Sequence, residues 1–145
     1  REEIIGSHRI PVTADTLIGK VHPTKEDMLV LPGGMPGTLH LGDCEGLKGF
    51  LMKAAEENGR IAAICAAPTV LGKLGLLNGR KAICYPGMED GLTGAEVTVE
   101  PVVTDGNITT SRGLGTAIPF ALRLIEELSG KETADRIAES VVYQA

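Results

Sequence analysis

Cys65 closes a short apolar run, Ile61-Ala62-Ala63-Ile64-Cys65-Ala66-Ala67-Pro68-Thr69, and a thiol so placed can act as a nucleophile. The run follows Asn58-Gly59 and is only a few residues long, which predicts a buried strand of a parallel sheet. The small residues and Pro68 after it predict a tight turn into a helix, whose first turn tolerates proline. A cysteine at that junction aims its sulfur at the N–H groups of a helix start. Such a setting lowers a thiol's pKa and supplies thiolate. The pattern is a strand–nucleophile–helix elbow with cysteine in place of serine. The same residues fit a buried structural cysteine, because free cysteines are often buried. Spacing alone leaves both open.

The second element is Leu31-Pro32-Gly33-Gly34. Two glycines after a strand let the backbone turn sharply and leave N–H groups uncovered. One of these, with the N–H of the residue after the nucleophile, makes an oxyanion hole. By itself the dipeptide also fits an ordinary strand-to-helix turn.

Other reactive side chains have no motif around them. His22 and His40 read as surface or turn residues, and His8 as a solvated residue at a strand end. Cys44 opens a helix, and Cys84 precedes Tyr85 at a strand end where it can sit near Cys65. Glu89-Asp90 read as a solvated run after Pro86-Gly87. No spacing suits a metal ion, so neither metal nor cofactor is expected.

These residues need a scaffold, and the length provides one. The 145 residues suit a single domain with a real core. The 19 glycines and 8 prolines are spread without a repeat, which excludes collagen-like and disordered chains. Phe50, Phe120, Tyr85 and Tyr143 are the only aromatics, and the net charge is −5 without a basic cluster. Both features argue against nucleic acid. No stretch is apolar enough to cross a membrane. Three cysteines without ligand-like spacing fit a reducing, cytoplasmic setting.

The apolar pattern alternates between strand and helix. Met28 to Leu31, Ile61 to Ile64 and Lys81 to Tyr85 are predicted strands. Val97 to Thr104 and Ile108 to Ser111 flank Asp105-Gly106-Asn107, a hairpin signal. Leu47, Phe50, Leu51, Ala54 and Ala55 form one helical face, ended by Asn58-Gly59. A short helix follows over Thr69 to Leu74. Ala117, Phe120, Ala121, Leu124 and Leu128 mark another, with Pro119 in its first turn and Gly130 at its end. Ala134, Ile137, Ala138 and Val141 mark the last. The alternation predicts an α/β domain with a mainly parallel sheet. Sites in such sheets lie at the carboxyl ends of the strands, where Gly33-Gly34 and Cys65 both fall.

The chain resembles the ThiJ/PfpI superfamily, in the branch of the parkinsonism-associated (DJ-one) type and its bacterial relatives. The resemblance rests on Leu31-Pro32-Gly33-Gly34, the Cys65 run, Thr110-Ser111-Arg112-Gly113-Leu114-Gly115-Thr116, and Phe120-Ala121-Leu122 leading into Leu128-Ser129-Gly130-Lys131. It implies a flavodoxin-like three-layer sandwich of the class I glutamine amidotransferase type, a homodimer, and a reactive nucleophile at Cys65. It implies an oxyanion pocket from the backbone N–H groups of Gly34 and Ala66, bordered by Gly33, Tyr85, Arg112, Gly113 and Leu114. His8 would approach the partner subunit's pocket.

Three departures from the family pattern matter. The family's opening strand, helix and strand, with an acid that contacts the cysteine, have no counterpart in residues 1–145. An N-terminally incomplete domain is therefore expected, with the lost segment supplied by a separate piece or a longer chain and pairing beside Met28 to Leu31. Residues 1–145 alone are then not an independent folding unit. Tyr85 stands where human-type members carry a histidine, so the general base is unidentified. Ala66 follows Cys65 where protease-like members have histidine, which disfavours a peptidase or amidase. The resemblance thus implies glyoxalase or deglycase chemistry on small electrophiles such as α-oxoaldehydes. The alternative it implies is an oxidative-stress sensor or chaperone acting through oxidation of Cys65.

Overall fold

The structure, a computed structural model, describes residues 2–144. Its centre is a four-stranded sheet. β3 (Met28–Leu31), β4 (Arg60–Ile64) and β8 (Ile108–Ser111) run parallel, and β7 (Val102–Asp105) joins β8 as the antiparallel hairpin that Asp105-Gly106-Asn107 predicts. The order is β3-β4-β8-β7. Among the described residues, β3 therefore pairs on one side only. Leu31 lies opposite Ala63 and Ile64 opposite Ser111. This register ends β3, β4 and β8 at one edge, so the segments after them emerge side by side.

Residue alternation builds a layer on each face of the sheet. Ile61 and Ala63 of β4 face one way and share a buried cluster with Leu51 of α2 (Glu45–Glu56) and with Val70 and Leu71 of α3 (Pro68–Lys73). On the other face, Thr109 reaches Glu127 of α4 (Ala117–Ser129), whose Oε1 accepts from its hydroxyl at 2.7 Å. α5 (Lys131–Ser140) packs against α4. The arrangement is the expected flavodoxin-like sandwich. Among the described residues, no helix is long and apolar enough to cross a membrane.

Several expectations need correction. The strand expected over Lys81 to Tyr85 is only β5 (Lys81–Ala82), paired in parallel with β6 (Glu96–Val97). It stops because the N–H of Ile83 donates to the buried Thr110 hydroxyl at 3.0 Å rather than to a ladder carbonyl. The strand expected over Val97 to Thr104 is broken before Pro101, which has no N–H to offer a ladder. Ala121 and Leu128 face solvent on α4, although both were expected on its buried face. Glu127 points inward instead, held by the hydroxyls of Thr104 and Thr109. Two elements are unforeseen. One is a hairpin of β1 (Glu3–Ile5) and β2 (Pro11–Thr13); the other is α1 (Gly37–Asp43), whose two glycines mask its helical signal.

Candidate functional site

β4 delivers Cys65 to the sheet edge, and the chain turns there at once. Cys65 has φ 65°, a left-handed conformation uncommon for a residue with a side chain and frequent at functional sites. The turn is held by the N–H of Ala67 on the carbonyl of Ile64 at 3.2 Å. Thr69 then anchors the start of α3, its hydroxyl donating to the carbonyl of Ala66 at 2.7 Å. Pro68 occupies the first turn of that helix, as the sequence predicts. The strand, the cysteine and the helix thus form the expected elbow.

Both backbone groups of Cys65 are tied to neighbouring segments. Its N–H donates to the carbonyl of Ser111 at 3.1 Å, and its carbonyl accepts from the N–H of Tyr85 at 2.8 Å. The side chain is only partly covered.

Two glycines press against the elbow. A Cβ on Gly33 would overlap the Cβ of Cys65 and come within 2.7 Å of the Ile64 carbonyl oxygen and 3.1 Å of the Ala66 nitrogen. A Cβ on Gly113 would lie 4.0 Å from the Cys65 sulfur and 3.4 Å from the Tyr85 ring. Only glycine lets the backbone come this close at Gly33. Gly34, next in the chain, has φ 91°. Its carbonyl accepts both the N–H and the hydroxyl of Thr38, at 2.9 and 2.8 Å. Among the described residues, neither the N–H of Gly34 nor that of Ala66 has an acceptor within the protein. Buried N–H groups are rarely left unpaired, and Ala66 is 2% exposed.

Each of the two glycines that approach Cys65 borders a hollow. Gly33 and Pro32 border the larger, about 750 Å³, together with Ile4, Ile18, Leu41 and Cys44. The smaller, about 280 Å³, is bordered by Tyr85, Pro86, Arg112, Gly113, Leu114 and Thr116. The expected pocket residues Tyr85, Arg112, Gly113 and Leu114 therefore gather on the Gly113 side. Leu114 stands at the rim, 93% exposed.

His8 borders neither hollow. It lies exposed between β1 and β2, with its Nδ1 3.1 Å from the Ser7 hydroxyl. His40, on α1, does border the larger one. Glu89, expected in a solvated run, turns back so that its carboxylate accepts from the N–H of Gly87 at 2.8 Å. Among the described residues, no group of three His, Cys, Asp or Glu side chains is arranged to hold a metal ion.

The hydroxyls that support the site escape sequence reasoning. Ser111 is fully buried; its hydroxyl donates to the carbonyl of Pro101 at 2.8 Å and lies 2.7 Å from that of Thr116. Thr116 Oγ1 in turn accepts from the N–H of Gly113 at 3.1 Å. This chain of bonds fixes the loop beside the sulfur. Its one sequence signal is the polarity of Thr109-Thr110-Ser111 inside a strand that must be buried. Cys84 is buried beneath the same region. Burial, and then the negative charges of Glu89 and Cys65, push its thiol up to about 11.

Comparison with known proteins gives the chain's family. The model of the DJ-1/PfpI family matches residues 1–127. Protein dj-1beta of Drosophila melanogaster is 42% identical over 144 residues, covering 97% of this chain and 76% of the fly protein. Protein DJ-1 homolog A of Arabidopsis thaliana is 44% identical over 94% of the chain, which spans only 36% of that longer protein. A glutathione-independent glyoxalase of Caenorhabditis elegans is 32% identical over 87% of the chain and 68% of its own length. A deglycase of Pyrococcus horikoshii is 38% identical over 77% and 68%. Among solved structures, oxidised DJ-1 of Toxoplasma gondii superposes with a TM-score of 0.93 at 37% identity, covering 99% of this chain and 79% of that one.

Proposed function

The chain belongs to the DJ-1/PfpI family, and on that premise we propose that it is a glyoxalase- or deglycase-type enzyme with Cys65 as its nucleophile. The observation that carries the reading is the left-handed turn at Cys65 beside the two unengaged N–H groups of Gly34 and Ala66. The two relatives named for glyoxalase and deglycase activities support the substrate class.

The chemistry follows from those groups. The Cys65 thiolate adds to the aldehyde carbon of an α-oxoaldehyde, forming an S–C bond and an oxyanion. The N–H groups of Gly34 and Ala66 stabilise that oxygen, the task of an oxyanion hole. A proton taken up by the oxygen gives the hemithioacetal. Transfer of a proton from the former aldehyde carbon to its neighbour oxidises the first carbon and reduces the second, so no external oxidant is needed. Water cleaves the resulting thioester, releases a 2-hydroxy acid and restores the thiol. In the deglycase variant the same nucleophile acts on an early adduct between the aldehyde and an amine or thiol.

Turnover of methylglyoxal to lactate by the intact protein, lost in Cys65→Ser, is the test. Retained turnover in that variant would overturn the reading. Assembly belongs to the same proposal. Ile4, Ile5, Ile10 and Val12 are all at least half exposed on the β1–β2 hairpin, an apolar surface suited to a second copy, which would bring His8 toward the partner's pocket. Sedimentation as a monomer at micromolar concentration would count against it.

A further inference from the structure

Two of the three cysteines meet at one point of the fold. The N–H of Tyr85 donates to the carbonyl of Cys65 at 2.8 Å. Cys84 directly precedes that N–H, so the two cysteines stand opposite each other across the bond. Backbones joined in this way run about 4.7–4.9 Å apart, and a disulfide bridges Cα atoms about 4.4–6.8 Å apart. Cys84 is fully buried, in the cluster that holds Ala63 and Ala67, the residues two before and two after Cys65. Burial, and then the negative charges of Glu89 and Cys65, push its thiol up to about 11, so the two sulfurs lie within reach of each other's charge. They differ in access: Cys65 is partly exposed and Cys84 meets no solvent. An oxidant from outside therefore reaches Cys65 first. Cys44 stands apart from this pair, its N–H and carbonyl bonded to Leu41 and Lys48 of its own segment.

We propose that Cys84 is the resolving thiol of Cys65, and that a hydroperoxide converts the pair to a Cys65–Cys84 disulfide. The proposal rests on the reading of Cys65 as the nucleophile, not on the aldehyde chemistry. In the first step the Cys65 thiolate attacks the distal oxygen of the hydroperoxide. The O–O bond breaks, the other oxygen takes up a proton and leaves as an alcohol (water, from hydrogen peroxide), and the sulfur is oxidised to a sulfenic acid. In the second step the Cys84 sulfur attacks the Cys65 sulfur. The S–S bond forms, the S–O bond breaks, and hydroxide leaves with the thiol proton as water. A thiol so little ionised attacks slowly in free solution. Here it needs no encounter, because the fold already holds both sulfurs. The disulfide withdraws the nucleophile and spares it from sulfinic acid, an irreversible stage. Reduction by a dithiol returns both thiols.

Peptide mapping tests the pair directly. Trypsin separates the three cysteines, because Lys48, Lys53 and Arg60 lie between Cys44 and Cys65, and Lys73, Arg80 and Lys81 between Cys65 and Cys84. The intact, reduced protein is treated with an equimolar amount of hydrogen peroxide, quenched with N-ethylmaleimide and mapped without reductant. Peptides 61–73 and 82–112 should appear joined, with the loss of two hydrogen atoms. Dimedone, which traps sulfenic acid, should label Cys65 about tenfold more in Cys84→Ser than in the wild type, since the resolving step is lost. After excess peroxide, dithiothreitol should restore iodoacetamide labelling of Cys65 in the wild type and not in Cys84→Ser. Cys44→Ser should form the link as the wild type does. Sulfinic acid at Cys65 of the wild type without the joined peptides would overturn the proposal, as would a link through Cys44, and neither result depends on a variant that folds. An unoxidised Cys65 beside an oxidised Cys44 would refute the nucleophile reading along with the proposal.

Discussion

The N–H of Tyr85 donates to the carbonyl oxygen of Cys65 at 2.8 Å, and through this bond the segment after β5 holds the elbow in its left-handed turn. That segment is fixed in turn by β8, because the Thr110 hydroxyl accepts the N–H of Ile83 at 3.0 Å. A threonine in the middle of the sheet, 1% exposed, thereby helps set the orientation of the cysteine.

Thr110→Val keeps the shape of the side chain and removes the acceptor. The buried N–H of Ile83 is then unpaired, at a cost of about 1–3 kcal/mol. We expect a melting temperature lower by several degrees and slower alkylation of Cys65, with Thr110→Ser close to the wild type. Thermal denaturation and peptide mapping check both. An undisturbed melting temperature in the valine variant would show that the hydrogen bond is dispensable.

The three cysteines should differ in reactivity. Cys65 is partly exposed on a strained turn beside free N–H donors, whereas Cys84 is fully buried with its thiol pushed up to about 11. Cys44 borders the larger hollow at the start of α2. Iodoacetamide at neutral pH should label Cys65 first and Cys84 last, with roughly a hundredfold between them given the burial and the raised pKa of the Cys84 thiol. Peptide mass spectrometry resolves the order. Equal rates would refute the elbow argument.

Much of this site is legible in the chain because it depends on short-range chemistry. The run from Ile61 to Thr69 carries its own strand, turn and helix start, and the strand ends of a parallel sheet must share an edge. Gly33-Gly34 and Cys65 therefore meet by topology. The hydroxyl network of Thr110, Ser111 and Thr116 is not legible in that way. Its partners, Ile83 and Pro101, come from segments brought together only by the folded sheet. The early end of β5 has the same origin, since a side-chain acceptor on β8 displaces a ladder bond. The inward turn of Glu127 likewise depends on Thr104 and Thr109, which no helical periodicity can reveal. The β1–β2 hairpin is hidden for a different reason: its residues are exposed on both faces, and no alternation between buried and exposed positions marks it.

The two glycines after β3 should respond differently to alanine. At Gly33 the new Cβ would overlap Cys65 itself. Forced overpacking of this kind costs about 1–3 kcal/mol or displaces the neighbour. At Gly34 the space is open, but φ 91° is strained for any side chain, at about 1–2 kcal/mol. Both variants should lose stability, and Gly33→Ala should in addition slow the alkylation of Cys65 by about tenfold as the sulfur is displaced from its position. Equal alkylation rates in the two variants would argue that Gly33 is a spacer rather than a support for the nucleophile.

Cys84 gives the fold a defined alkaline weakness. Its thiol ordinarily ionises near 9.0, and in the folded protein near 11, chiefly because burial disfavours the charged sulfur. A thiol raised in this way stabilises the fold fully below its unfolded pKa. As pH rises past about 9.0 the unfolded chain loses this proton while the folded one keeps it, and stability falls until the folded thiol also ionises near 11. The loss across that window is on the order of 2 kcal/mol. Cys84→Ser retains a donor for the Tyr85 carbonyl, which the thiol approaches at 3.4 Å, and does not ionise in this range. Denaturant titrations of both proteins from neutral pH to beyond 11 should therefore show a steeper alkaline decline in the wild type than in Cys84→Ser. Parallel declines would mean that Cys84 ionises alike in the folded and unfolded states, and that its burial leaves the thiol unaffected.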